Sequence, residues 1–180
     1  MQKAFGSPLV LDVCCGKRAF WFKCDDGRAI FMDRRRGVYP RRHNDRPRKP
    51  VVVSPGVVGD FTDLPFSSGT FSHVVFDPPH LDNCGPNSNI AKYYGILDKG
   101  WRDDLRRGFA ECFRVLLPGG TLIFKWNEVR IPLREVLGLT PEKPLYGHRS
   151  GKSAKTHWVA FLKARLSSAM AGVVLQKELP

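Results

Sequence analysis

The sequence predicts an α/β fold with an open, mostly parallel central sheet flanked by helices. Short apolar runs of strand length recur along the chain, and one longer segment between two of them repeats its apolar residues at helical spacing instead. Acidic residues follow four of these runs, where open sheets of this class bind their ligands. With 180 residues, we expect one domain over residues 1–180, with a basic insertion at about 34–50.

The predicted strands are short runs rich in apolar residues, each next to turn-forming or acidic residues. Such runs are typical of strands buried in a parallel sheet. In chain order they are Leu9–Cys14, Ala29–Asp33, Val51–Val53, Val57–Asp60, Phe71–Phe76, Thr121–Trp126 and Thr156–Leu162.

The main predicted helix covers Trp101–Leu117, where apolar residues recur every three or four positions. Leu117–Gly120, with its proline and two glycines, predicts the end of that helix. Ala19–Phe22 could open another helix, and Ile131–Leu137 predicts a short one. Strands that alternate with helices in this way favour parallel pairing.

The charge balance indicates a polyanionic partner. The chain has 29 Lys and Arg against 17 Asp and Glu, a net charge of +12 and a pI near 9.8. Nucleic acid is the partner that such a balance favours, and a basic surface kept for solubility is the alternative. The five cysteines form no C-x-x-C pair or zinc spacing, and neither a signal peptide nor a membrane span is evident. We therefore expect a reduced, cytoplasmic protein without a metal site.

The most basic segment is Arg34–Pro50, which holds seven arginines, one lysine and three prolines. The prolines exclude a good helix, so we expect a flexible surface loop. As a function we predict an arm that contacts phosphates, with Tyr39 and His43 available for stacking. A second basic loop, Gly147–Ser153, is one residue short of a phosphate-binding loop and is expected to touch backbone phosphates instead. The predicted nucleic-acid contacts are Arg34, Arg35, Arg36, Arg41, Arg42 and Lys152.

Four acids come at or near the ends of successive predicted strands. They are Asp12, Asp33, Asp60 and Asp77. A carboxylate near a buried sheet is costly unless it has a partner, so four in succession indicate a ligand site.

The tetrapeptide Asp77-Pro78-Pro79-His80 directly follows an apolar run. Proline has no N–H and fixes φ, so the chain cannot continue the sheet there and its carbonyls stay free as acceptors. A carboxylate beside free carbonyls suits the binding of a planar exocyclic amine. An ordinary turn is the alternative.

In this order the motifs resemble those of class I S-adenosylmethionine-dependent methyltransferases, and the resemblance covers most of the chain. Leu11–Gly16 is similar to the first motif, although Cys14 and Arg18 stand where outer glycines are usual. The resemblance implies that Asp12, Cys14 and Gly16 contact the methionine part of the cofactor.

Two further cofactor motifs follow. Phe31–Asp33 is similar to the motif whose acid bonds both ribose hydroxyls, a task that a carboxylate performs with its two oxygens. Gly59–Phe61 is similar to the motif in which Asp60 would accept from the adenine amino group and Phe61 would pack on the ring. Leu116–Gly120 resembles the later L-x-P-G-G turn of the same fold.

Asp77–His80 resembles the (D/N)PP(Y/F/W) motif of amino-methyltransferases, with His80 at the usual aromatic position. The resemblance assigns catalysis to Asp77, Pro78, Pro79 and His80. A group of small bacterial and phage-associated methyltransferase-like proteins is similar in finer detail. The shared segments are Asp12–Gly16, Phe76–Leu81, Glu111–Leu116, Phe124–Glu128 and Lys155–Trp158.

The resemblance implies a methyltransferase that uses S-adenosylmethionine and acts on an exocyclic amino group of a base, first of all adenine N6 in DNA. His80 would stack on that base or accept its proton. An RNA base N-methyltransferase and an inactive, nucleic-acid-binding subunit are the alternatives. Little of the chain is left for target recognition, so specificity would come from Arg34–Pro50, from residues 81–100 or from a partner protein. Lys125 and Glu128 either belong to the site or pair with each other on the surface.

Overall fold

The structure is a computed structural model that describes residues 9–43, 46–85, 88–149 and 155–165. The strands in these ranges are β1 Val10–Asp12, β2 Ala29–Asp33, β3 Gly37–His43, β4 Arg46–Val53, β5 Val57–Val58, β6 Phe71–Phe76, β7 Leu116–Asn127, β8 Pro144–Arg149 and β9 Thr156–Leu162. The helices are α1 Asn89–Tyr94, α2 Trp101–Val115 and α3 Leu133–Leu137.

Seven strands form the central sheet, in the order β5-β2-β1-β6-β7-β9-β8. All neighbours from β5 to β7 are parallel, whereas β9 runs antiparallel to both β7 and β8. The predicted α/β class with a mostly parallel central sheet is confirmed. Because β5, β2, β1 and β6 are parallel, their carboxyl ends meet at one edge.

The core lies between the sheet and α2. Leu122, Phe124 and Trp126 alternate with half-buried residues along β7 and are fully buried. The ring of Phe109 on α2 lies 4.9 Å from that of Phe124. A Cβ at Gly108 would lie within 2.8 Å of Phe76, so this glycine permits the close approach of α2 to the sheet. None of the helices in the described ranges is long and apolar enough to cross a membrane.

The segment after β1 contains turns where the sequence predicted the start of a helix at Ala19–Phe22. Gly16 and Arg18 both have positive φ, 49° and 58°, which breaks a right-handed helix. The Arg18 guanidinium donates to the carbonyls of Cys24 and Ser54 and so holds the turns in place.

The basic insertion is a β-hairpin and not the flexible loop that the sequence predicted. β3 and β4 pair antiparallel, with Tyr39 opposite Val51 and Arg41 opposite Arg48. The register shifts between Tyr39 and Arg41, which places Pro40 at an irregularity where its missing N–H costs no ladder bond. The pairing of β-branched and aromatic residues at the root of the hairpin outweighs the prolines.

Candidate functional site

A cleft of about 890 Å³, its solvent-open mouth included, lies at the edge where the parallel strands end. Its walls come from the turns after β1, from the ends of β2 and β6, and from α1 with the glycine that follows it. The sequence-predicted residues that line it are Cys14, Gly16, Asp33, Arg34, Arg35, Phe61, Asp77 and Pro79.

The turn after β1 brings main-chain atoms to the cleft. The Gly16 N–H donates to Asp33 Oδ2 at 2.9 Å, and a Cβ at this position would meet no atom closer than 3.8 Å. Positive φ, and not crowding, is therefore what favours glycine here. Burial raises the pKa of the Cys14 thiol well above its usual value, so this lining residue is neutral.

Asp12 lies beneath the cleft and does not line it. It is fully buried at the end of β1, and the Trp21 indole N–H donates to its Oδ2 at 2.7 Å. Burial and the nearby Asp77 and Asp33 raise the pKa of Asp12 to about 7, against the effect of the Trp21 bond. Its other oxygen, Oδ1, has no hydrogen-bond partner among the described residues.

Asp33 is a buried acceptor of several N–H groups. Besides Gly16, the Arg35 main chain donates to its Oδ1 at 2.8 Å, and the Arg35 guanidinium lies 3.2 Å from the same oxygen. That guanidinium also reaches the carbonyls of Lys92 and Tyr93 at 3.3 and 3.5 Å. Arg35 therefore connects Asp33 to α1 across the cleft.

Asp60 stands at the rim. Its Oδ1 accepts from the Thr62 main chain and hydroxyl, both at 2.9 Å, and its Oδ2 lies 3.9 Å from Arg34. Phe61 lines the cleft while its ring packs 5.4 Å from that of Phe76, in the core. Of this predicted motif, the structure thus brings Phe61 and Gly59 to the cleft wall and leaves Asp60 outside it.

Asp77 forms a short ion pair with Lys125, from Lys125 Nζ to Asp77 Oδ2 at 2.6 Å. The side chains are 13% and 20% exposed, respectively. Burial raises the pKa of Asp77 and the Lys125 ammonium counteracts part of that rise. The Lys125 ammonium also lies 5.7 Å from the ring centres of Phe20 and Trp158. This position corrects the view that Lys125 pairs with Glu128, which instead contacts His157 at 2.8 Å.

His80 lies among aromatic rings beside the cleft. Its ring centre is 5.4 Å from that of Tyr94 and 6.3 Å from that of Trp126. Burial, with the Lys125 charge as the second cause, lowers the pKa of His80 to about 4. His80 is therefore neutral near pH 7 and a weak base there.

A turn at Gly95, directly after α1, forms part of the cleft wall. Gly95 has φ +79°, and a Cβ there would lie 3.1 Å from Pro79 Cγ. Only glycine combines this conformation with so close an approach. The residues after β6 thus fold back onto Pro79, and Pro78 beside it is buried.

Basic side chains surround Tyr93 at the mouth of the cleft. Lys17 Nζ lies 4.8 Å and the Arg41 guanidinium carbon 4.4 Å from the centre of its ring. Lys17 comes from the turn after β1, Arg41 from the hairpin and Tyr93 from α1, so three distant segments meet here. Such cation–π contacts contribute about 0.5–1 kcal/mol each at exposed sites.

The predicted nucleic-acid contacts occupy different surroundings. Arg34 and Arg35 line the cleft, and Arg36 donates to the Pro55 carbonyl at 2.9 Å at the root of the insertion. Arg41 contacts Tyr93. Arg42 belongs to β3, and Lys152 lies outside the described residues.

The sequence left open whether Lys125 belongs to the site, and the structure places it there, on Asp77; Trp21 is the residue that sequence reasoning missed. The register gave a signal for Lys125, because Phe76 pairs with Phe124 in the parallel β6–β7 ladder. The next residues along the two strands, Asp77 and Lys125, are then neighbours. Trp21 carried no comparable signal, since its contact with Asp12 depends on the turns between them.

No family model matches the chain, and no curated protein matches its sequence. Solved structures share its fold. The PH0226 protein from Pyrococcus horikoshii has a TM-score of 0.53 at 18% identity, over 86% of this chain and 81% of that one. A SAM-dependent methyltransferase from Methanosarcina mazei has a TM-score of 0.52 at 12% identity, over 87% of this chain and 92% of that one.

The N-methyltransferase NodS from Bradyrhizobium japonicum has a TM-score of 0.51 at 11% identity, over 87% of this chain and 85% of that one. At these identities the likeness establishes the fold alone. The chain has the Rossmann-like fold of these methyltransferases, with the same mostly parallel central sheet.

Proposed function

We propose that this chain is an S-adenosylmethionine-dependent methyltransferase that acts on an exocyclic amino group of a nucleic-acid base, with adenine N6 in DNA as the first candidate. One observation carries the proposal. Two carboxylates that the motifs single out, Asp33 and Asp77, line one cleft at the carboxyl edge of a methyltransferase-like sheet. A ligand that bridges the two halves of that cleft would lie between them.

The residues present fit the cofactor. Gly16 and Gly95 bring bare main chain to the wall of the cleft, and Asp33 offers two oxygens that already accept N–H donors there. A ribose presents two hydroxyls, which a carboxylate accepts side by side. Phe61 supplies an apolar face on the same wall.

Binding of a ribose at Asp33 requires a change at Arg35. The Gly16 and Arg35 main-chain bonds fix the Asp33 carboxylate at 2.9 and 2.8 Å, whereas the guanidinium contacts are longer, 3.2 and 3.5 Å. The guanidinium is the partner that hydroxyls would replace. The Lys92 and Tyr93 carbonyls, which its N–H groups already approach, would remain available to it away from Asp33.

The target half of the cleft is built around Asp77. Its Oδ2 is held by Lys125, which fixes the carboxylate and leaves Oδ1 to accept from the amine of a base. This hydrogen bond orients the nitrogen lone pair toward the methyl donor, an alignment effect more than acid–base catalysis. His80 and Tyr94 offer ring faces beside it. The cofactor supplies a methyl group on a sulfonium, and its departure leaves a neutral thioether.

Charge and proton balance assign separate roles to Asp77 and His80. Transfer of the methyl group that the cofactor would supply leaves the product nitrogen with one proton to release. Asp77 would receive this proton only after the transfer that it has aligned, because it already accepts the hydrogen bond from the same nitrogen. His80, with its pKa lowered to about 4, serves as a stacking surface and not as the base.

The nucleic-acid part of the proposal rests on charge and on the aromatic rim. The net charge is +12, and Tyr93 at the mouth lies between Lys17 and Arg41. A buried cleft reaches a base in a duplex only when that base is flipped out. A small anionic substrate would not need so large an excess of positive charge.

The test is transfer of radiolabelled methyl from S-adenosylmethionine to unmethylated DNA and to total RNA, followed by mass spectrometry of the nucleosides. We expect N6-methyladenine in the DNA pool. Label found only in the RNA pool would favour an RNA base N-methyltransferase over a DNA methyltransferase. An Asp77→Asn protein serves as the control for a contaminating activity.

The inactive-subunit alternative has support of its own, because both cleft acids are engaged by internal cations, Asp33 by Arg35 and Asp77 by Lys125. Cofactor binding by calorimetry with no label in either pool, alone or with added partner proteins, would favour that alternative. Absence of cofactor binding would overturn the proposal as a whole.

A further inference from the structure

The hairpin of β3 and β4, residues 37–43 and 46–53, is here called the basic ribbon. Its two strands carry five cations and no acid, and the sequence has one acid, Asp45, between them; the cations are Arg41, Arg42, Arg46, Arg48 and Lys49. Among the described residues, no carboxylate lies within salt-bridge distance of Arg41, Arg46, Arg48 or Lys49. By contrast, Arg34 and Arg35, just before the ribbon, are each close to an aspartate.

The root of the basic ribbon is anchored and its outer part is free. Val51 and Val53 are 2% and 1% exposed, so they fix the ribbon to the body of the protein. Residues 46–50 are all exposed, on both faces of the strand. Five residues at about 3.3 Å each extend about 16 Å from the anchored root.

We propose that the basic ribbon is a β-ribbon that enters the major groove of duplex DNA and serves as the target-binding element of this chain. The proposal rests on the nucleic-acid substrate proposed above and names its form. The major groove of B-DNA is about 12 Å wide and about 8.5 Å deep, and it admits a two-stranded ribbon. The free part of the ribbon is long enough to reach the floor of such a groove.

The same geometry disfavours double-stranded RNA. The major groove of A-form RNA is deep and narrow, so side chains on a ribbon cannot read it. Association with another protein sheet is also disfavoured. Pro40, Pro47 and Pro50 each remove an N–H from the ribbon, and prolines on edge strands block the addition of a further strand.

The basic ribbon also stands in the right place for a duplex substrate. Arg41 lies opposite Arg48 in the ladder and contacts Tyr93, which lines the cleft. The charged face of the ribbon thus continues to the mouth of the cleft. A duplex held by the ribbon would present its bases to the edge where Asp77 lies, and one base would be flipped into the cleft.

The experiment measures binding of a fluorescein-labelled 20-base-pair DNA duplex by anisotropy, at several salt concentrations and without cofactor. The ribbon variant combines Arg46→Ser, Arg48→Ser and Lys49→Ser. The matched control combines Lys23→Ser, Lys99→Ser and Lys143→Ser, which removes the same charge from exposed positions outside the ribbon. Circular dichroism and thermal unfolding check that both variants fold.

We expect the ribbon variant to bind the duplex at least about tenfold more weakly at 100 mM salt, and the control by less than about threefold. The slope of log K against log salt, which is negative, should become shallower by about 2–3, since each lost phosphate contact removes about 0.9 from its magnitude. Bulky substituents at the 5-position of the pyrimidines, which project into the major groove, should weaken binding by the unaltered protein.

Equal weakening of the ribbon and control variants would overturn the inference. The protein could also bind double-stranded RNA as tightly as the DNA duplex, and lose as much RNA affinity in the ribbon variant. That result would overturn the inference in favour of an RNA-binding surface. The assay needs no turnover, so its result is separate from that of the proposed function. If duplex binding depends on the ribbon but no methyl transfer is found, the proposed methyltransferase activity is refuted and the proposed role of the ribbon in DNA binding is kept.

Discussion

The cleft has two halves, each built around a carboxylate paired with a cation, and the two pairs differ in origin. In the cofactor half, Arg35 comes from the loop that follows Asp33, and its guanidinium shares several contacts of 3.2–3.5 Å. In the target half, Lys125 comes from the neighbouring strand and makes one contact of 2.6 Å with Asp77. Sheet register places the second pair side by side, whereas a rotation of the Arg35 side chain would be enough to open the first.

Burial alone does not distinguish these pairs. The side chains of Arg35 and Asp33 are 19% and 6% exposed, and those of Lys125 and Asp77 are 20% and 13% exposed. Similar burial therefore accompanies different contact geometry, several longer contacts for Arg35 and one short contact for Lys125. On the proposed function, we expect the cofactor half to rearrange on binding and the target half to be preorganised.

The largest effect is expected from Asp77→Asn. The amide cannot carry the negative charge that Lys125 fixes, so methyl transfer should fall at least about 100-fold while cofactor affinity changes less than about twofold. Radiolabel transfer and calorimetry measure the two quantities. Asp82→Asn, an acid just beyond the motif that pairs with Arg130, is the matched control. Retained transfer would remove Asp77 from the reaction.

Asp33→Ala should act on cofactor affinity, the quantity that Asp77→Asn leaves nearly unchanged. Loss of an acceptor for two hydroxyls corresponds to about 1.5–3 kcal/mol per charged hydrogen bond, so cofactor affinity should fall at least about tenfold. Asp63→Ala, at an exposed acid outside the cleft, should leave the affinity unchanged. If calorimetry gives the same affinity for both variants, the ribose assignment is wrong.

Lys125→Met should move the pH dependence of transfer. Ionised Asp77 is the active form, so activity is lost as the pH falls through its pKa, and that pKa is already raised by burial. Without the ammonium the pKa rises further, and the acid limb of the profile should shift upward by about one pH unit. Lys155→Met, at an exposed position, should leave the profile in place. An unshifted profile would contradict the preorganised pair.

Arg35→Ala tests the opening of the cofactor half and has the smallest expected effect. Removal of the competing guanidinium should tighten cofactor binding about threefold, because the Gly16 and Arg35 main-chain donors still hold Asp33. Arg36→Ala, whose side chain contacts the Pro55 carbonyl outside the cleft, is the control. Weaker binding by the Arg35 variant would show that the guanidinium organises the cleft and does not compete.

Three strands of the sheet could be predicted from sequence because their own residues determine them. Ala29–Asp33, Phe71–Phe76 and Thr156–Leu162 have the predicted bounds in the structure. Each is an apolar run next to turn or acidic residues, and burial within the sheet requires such a run. Asp33 and Asp77, at the ends of the first two of these runs, follow from the same pattern.

Elements held by distant contacts could not be predicted in the same way. The β3–β4 hairpin depends on pairing between residues separated by a proline-rich stretch, and prolines alone indicate a loop. Helix α1 has six residues, and the Ser88 hydroxyl that caps it accepts from the Ala91 N–H. So short a helix depends on its surroundings more than on its own propensity.

The basic ribbon is inserted between two strands that are direct neighbours. β2 and β5 pair at Met32–Val57 and Asp33–Val58, and the Gly56 N–H donates to the Phe31 carbonyl just beyond the insertion. The chain thus leaves the sheet and returns to the adjacent position. With the ribbon as the proposed target-binding element, its replacement by a hairpin of another length or charge would alter substrate preference and leave the order of the sheet strands intact.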